Sequence, residues 1–97
     1  MSKPGQSISK AEFEKMRKRW KDKNPKKTQS VEFSLESIKR VLDSPKAAGI
    51  RVYFGENDEG ADTVMLVPTT EDGKSNLSFI EDRGLLCPPN CPDEIGG

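Results

Sequence analysis

Hydrophobic and polar residues alternate most regularly in Gly49-Ile50-Arg51-Val52-Tyr53-Phe54-Gly55, followed after a polar loop by a second run, Ala61-Asp62-Thr63-Val64-Met65-Leu66-Val67. β-Branched and aromatic runs joined by Glu56-Asn57-Asp58-Glu59-Gly60 are the signature of a β-hairpin. In the first strand Ile50, Val52 and Phe54 face one way, Arg51 and Tyr53 the other. Residues 64–67 are apolar without interruption, which points to a central strand or to cover on both faces. Pro68 then removes a ladder donor on one side. After the turn Thr69-Thr70-Glu71-Asp72-Gly73-Lys74, the stretch Asn76-Leu77-Ser78-Phe79-Ile80-Glu81 reads as a third strand. Loops this short cannot hold a crossover helix, so the expected topology is an antiparallel meander.

Upstream of the hairpin the period changes to that of helices. Ser9 with Glu12 is a capping box, and Ile8 with Phe13 has the spacing of a hydrophobic staple. Phe13, Met16 and Trp20 share one helical face, with Lys10, Lys15, Lys18, Arg19 and Lys21 around it. Asn24-Pro25 ends that helix, because the residue before proline disfavours the helical region. Val31-Glu32-Phe33 alternates as a short extended piece. Ser34 caps a second helix with Leu35, Ile38, Val41 and Leu42 on its apolar side, and Asp43-Ser44-Pro45 stops it.

The expected fold is α+β: two N-terminal helices, then a three-stranded antiparallel meander, then an irregular proline-rich tail. Residues 1–30 form a basic arm with an amphipathic helix, residues 31–86 a compact body, and residues 87–97 a Pro/Cys-rich tail. The expected core is Leu35, Ile38, Val41, Leu42, Ile50, Val52, Phe54, Val64, Leu66, Leu77 and Phe79.

Composition changes this picture little, and charge changes it more. With 97 residues, 32% hydrophobic and 33% charged, the chain has room for one modest core. Its net charge of zero conceals an asymmetry. Residues 1–28 hold ten Lys or Arg against three acids, a balance of +7, and residues 29–97 hold six against thirteen, a balance of −7. A basic arm on an acidic body binds a polyanion, folds back on its own domain, or lies on a neighbouring copy. Lys15, Lys18, Arg19, Lys26 and Lys27 are the polyanion candidates. Against nucleic acid stand the interrupting Glu12 and Glu14 and the neutral total. No window has the length of a membrane span, and the first seven residues lack the apolar core of a signal peptide, so a cytoplasmic protein is expected, with no membrane partner.

Candidate chemistry is sparse. The chain has no histidine, which removes His-based acid–base catalysis, Ser-His triads and His-ligated metals. Cys87 and Cys91, spaced C-x-x-x-C among Pro88, Pro89 and Pro92, admit three readings: packed thiols, a disulfide or redox pair, or two ligands of a metal site. That site would need carboxylates or a second copy to complete it. No other cofactor is suggested. The acidic hairpin loop does not fit an EF-hand, and Gly55, Gly60 and Gly73 are too scattered to cradle a phosphate. Gly96-Gly97 matches the ending of ubiquitin-like modifiers, but the element order departs from their hairpin-first pattern, so a frayed end is expected.

The order of these pieces resembles a group of short bacterial proteins of uncharacterised function. The likeness covers residues 31–92: the Gly-Ile-Arg-Val-Tyr-Phe-Gly strand, the Thr63-to-Val67 strand, the Asp-Gly turn and the late Cys-Pro-Pro-Asn-Cys-Pro. It implies a bacterial cytoplasmic domain and carries no activity, cofactor or catalytic residue with it. The functional expectation is a small non-enzymatic protein-interaction or regulatory module, monomeric or homodimeric, with Phe13, Met16 and Trp20 as interaction residues. Its partner is an unidentified protein or a second copy. The alternatives are a thiol protein using Cys87 and Cys91, and a polyanion binder using the basic helix.

Overall fold

The computed structural model describes residues 3–93. Along the chain it has α1 (Lys10–Lys23), β1 (Ser30–Glu32), α2 (Leu35–Leu42), β2 (Gly49–Glu56), β3 (Asp62–Thr69) and β4 (Leu85–Cys87). Both helices start where local chemistry places them. The Ser9 hydroxyl accepts from the Glu12 amide at 3.1 Å, and the Ser34 hydroxyl accepts from the Ser37 amide at 3.1 Å. Each bond satisfies one of the amides that a helix start leaves without an internal partner.

The hairpin also forms as its pattern indicates. β2 and β3 pair antiparallel from Gly49↔Thr69 to Glu56↔Asp62. At its tip the Asn57 side chain accepts from the amides of Glu59 and Ala61, and Gly60 supplies a φ of +82°.

The meander does not form. Among the described residues there are two separate two-stranded sheets, β2–β3 and β1–β4. Residues 76–80 leave the ladder as a turn in which the Ser78 amide bonds to the Asn76 side chain. Only Glu81 returns, exchanging two 2.9 Å backbone bonds with Leu66. Pro68 is the cause. Leu66 directs its N–H and C=O toward that outer edge, so Pro68, two residues on, presents the same edge. Its carbonyl accepts from the Asn76 amide at 2.9 Å, but it has no N–H to give in return. A third strand would lose its ladder at that point.

The extended segment expected at residues 31–33 forms as β1, one residue earlier, and the tail expected to be irregular begins inside a strand. Ser30, Val31 and Glu32 pair with Cys87, Leu86 and Leu85, so a strand lies between the two helices and the end of the expected body, with the first residue of the expected tail, supplies its partner. The Gln29 amide extends the pairing to the Cys87 carbonyl at 2.7 Å. Gly84 lets the two segments close: a Cβ there would overlap Val31 and meet the Glu32 carbonyl and the Phe33 ring at 3.0 Å.

Of the expected core list Val41 and Leu66 are buried, and the rest of the burial centres on β3. Val41, Leu66, Val67, Pro68 and Cys87 are buried, with Ser44 and Thr63. Ile38 and Val64 are half-buried. Leu35, Leu42, Ile50, Val52, Phe54, Leu77 and Phe79 are exposed, Phe54 at 87%. The leucines of α2 lie beside its buried Val41 stripe, Leu77 and Phe79 went out with the lost strand, and β2 is an edge strand bonded to β3 alone. α2 packs across β2 and β3. Its Arg40 clamps Glu81 through three contacts of 2.7–3.1 Å, which ties the helix to the outer side of β3.

Candidate interaction surfaces

The first surface is the apolar face of α1. No residue of this helix is buried. Phe13, Met16 and Trp20 are 45%, 58% and 46% exposed, and with Ile8, Arg17 and Gln29 they line an open groove of about 310 Å³. The proposed interaction residues are therefore brought together on one side. The Arg17 guanidinium lies 5.6 Å from the centre of the Phe13 ring, within cation–π range. Trp20 donates its indole N–H to the Thr28 carbonyl at 3.2 Å, and the Gln29 side chain donates to the carbonyls of Asn24 and Lys27. Thr28 in turn donates to the Asp62 carbonyl at the start of β3. These bonds pin the end of α1 without laying its face on another element.

The basic candidates are distributed around that helix. Lys18 pairs with Asp22 at 2.7 Å, and Lys27 approaches Asp62 at 4.0 Å. Lys15, Arg19 and Lys26 carry no ion pair among the described residues.

The second surface is one that the alternation of the chain assigns to the core. Ile50, Val52 and Phe54 form an exposed row on one face of β2, at 37%, 49% and 87%. Strand alternation and the register carry that face on to Glu56, directly opposite Asp62. Like charges placed opposite one another repel, and Lys27 is the cation beside them.

On the other face of β2 lies a polar cluster that sequence reasoning missed. Arg51 donates to the Gly73 carbonyl at 3.1 Å and to the Ser75 hydroxyl at 2.8 Å, and Tyr53 shares a 2.6 Å hydrogen bond with the same hydroxyl. The Ser75 bond, reinforced by Arg51, lowers the Tyr53 phenol below its ordinary value of 10.0. The one signal in the chain was that Arg51 and Tyr53 share a face. Ser75 comes from the turn beyond β3, and its arrival depends on the fold. The cluster fastens that turn to the hairpin.

Cys87 and Cys91 are joined in a disulfide with Cα atoms 4.6 Å apart. Cys87 is buried at the end of β4, whereas Cys91 is exposed. In this state neither sulfur is a thiolate, the form that binds metal. Among the described residues no group of three or more Cys, Asp or Glu converges as a metal site, the acidic hairpin loop included. Gly96 and Gly97 lie outside the described residues. No described helix is long and apolar enough to cross a membrane.

Compared with protein-family models, curated proteins and solved structures, the chain shows no match.

Proposed function

We propose that this chain is a small non-enzymatic interaction module that works through the apolar face of α1 and the exposed row on β2. One observation carries the reading: two elements of one small domain present large apolar side chains that the other described residues leave between about a third and nine-tenths exposed. Exposed clusters of this kind, rimmed by charge, mark association surfaces on soluble domains. The setting we assign is the bacterial cytoplasm, in keeping with the resemblance of residues 31–92.

The test is a surface variant that leaves the core alone, Met16→Glu with Phe54→Lys. Both positions are more than half exposed, so far-ultraviolet circular dichroism should match the wild type. Immobilised wild-type chain should retain a defined protein from a cell extract, or a second copy of itself, and the double variant should retain neither. Equal retention by the two forms would overturn the reading.

The disulfide favours a second reading, in which an external dithiol reduces the pair through exposed Cys91 and is itself oxidised. Replacing Cys87 and Cys91 by Ser separates the two. Partner binding survives in an interaction module, whereas a thiol protein loses its activity.

A further inference from the structure

We propose that the occupant of the α1 face is a second copy of this chain. In this arrangement Phe13, Met16 and Trp20 of one molecule lie on the Ile50, Val52 and Phe54 row of the other, and the contact is made twice about a two-fold axis. This rests on the interaction-module reading and names the partner.

Four observations converge. First, among the described residues α1 packs broadly on no other element, and its end is pinned by the bonds from Trp20, Gln29 and Thr28. A partner molecule can cover the exposed face while leaving those bonds intact. Second, the charges match: the segment carrying α1 has a balance of +7, and the rest of the chain −7. Basic arm on acidic body cancels both fields, and complementary potentials of this kind steer and orient association.

Third, the sheet row ends in the Glu56 and Asp62 pair, an acidic rim with Asp58 and Glu59 in the adjoining loop. Among the described residues Lys27 lies 4.0 Å from Asp62 of that rim, and Arg19 and Lys23 of an incoming α1 supply further positive charge. The lengths agree as well. Phe13 to Trp20 covers about 10 Å at the helical rise, and Ile50 to Phe54 about 14 Å at the strand rise.

Fourth, the molecule is too open for its mass. Its accessible surface is 8146 Å². A compact monomer of 10.8 kDa has about 5,500 Å² by the mass–area relation. α1 is one source of the excess. That excess is larger than the roughly 800 Å² each partner contributes to a standard interface. Because the helix face and the sheet row occupy the same chain, a reciprocal exchange closes on two molecules and leaves no free copy of either surface.

The experiment uses the full chain and two variants with opposite charge, Met16→Glu and Phe54→Lys, each examined by sedimentation and by fluorescence of Trp20, the single tryptophan. The wild type should dimerise, with a blue-shifted and quencher-protected Trp20. Each variant alone should weaken the dimer by about thirtyfold or more, the scale of an interfacial hot spot. Mixing the two should restore it: one contact then joins wild-type surfaces, and the other sets Glu at position 16 against Lys at position 54.

If only Met16→Glu dissociates the dimer, the contact is helix on helix and the proposal fails. If only Phe54→Lys does so, the contact is sheet on sheet and the proposal fails equally. A wild type that stays monomeric up to about 1 mM, the weak end of the affinity scale, overturns self-docking. The module reading is then judged separately, by whether the wild type retains a foreign protein that the double variant does not.

Discussion

Replacing Gly84 by Ala tests whether the junction of β1 and β4 is as closely packed as the geometry indicates. Gly84 does not occupy the left-handed region, so alanine fits its backbone, and in open space the change would stabilise the fold by about 0.4–1 kcal/mol through the unfolded chain. Here the new methyl overlaps Val31 and meets the Glu32 carbonyl and the Phe33 ring at 3.0 Å. Val31 is β-branched and has little rotamer freedom, and Glu32 is main chain within a paired strand, so the strand itself must move. Overpacking of that kind costs about 1–3 kcal/mol. For a domain of this size that becomes a fall in melting temperature of about 5–20 °C. Thermal unfolding followed by circular dichroism reads the shift. Exchange of the Gln29 amide, bonded to the Cys87 carbonyl, reports whether the β1–β4 junction is the part that loosens. An unchanged or raised melting temperature would show that the space beside Gly84 is open, because the sign of the shift itself separates the two cases.

Two further outcomes concern the polar fastenings. The Arg40 clamp, helped by Ser37, holds the Glu81 carboxyl below its ordinary value of 4.5. A carboxyl with a depressed folded-state pKa contributes stability that is fully present above the unfolded value and is lost as pH falls through the folded one. Glu81→Gln should therefore melt below the wild type at pH 7, with the gap closing in acid; a gap constant with pH would show that the charge is not what matters. Ser75→Ala should move the Tyr53 titration up toward 10.0, read from phenolate absorbance of the single tyrosine. An unmoved titration would place the cause elsewhere than the Ser75 bond.

Much of the local structure was legible in the residues. Ser9 and Ser34 cap their helices, Asn24-Pro25 stops the first, and the polar loop at residues 56–60 turns the hairpin, each through chemistry within a few residues of where it acts. The candidate site was half legible. Phe13, Met16 and Trp20 share a helical face because 3.6 residues make a turn, and they do so in the structure. The sheet row lies outside the core to which its pattern assigns it, since alternation shows which residues share a face and says nothing about whether another element reaches it. Ser75 could not be linked to Tyr53 for the same reason.

Chain-local chemistry was therefore enough for the elements whose partners are near in sequence: two capped helices, one hairpin and the charge division between arm and body. It took the assembled fold to reveal that residues 30–32 pair with residues 85–87, that Pro68 points its missing donor at the outer edge, and that β2 is left open. Each is a relation between residues far apart in sequence or between a strand and its surroundings. A pairing partner half a chain away leaves no periodic trace, because it is chosen by which backbone groups and surfaces remain unmatched after the local elements have formed.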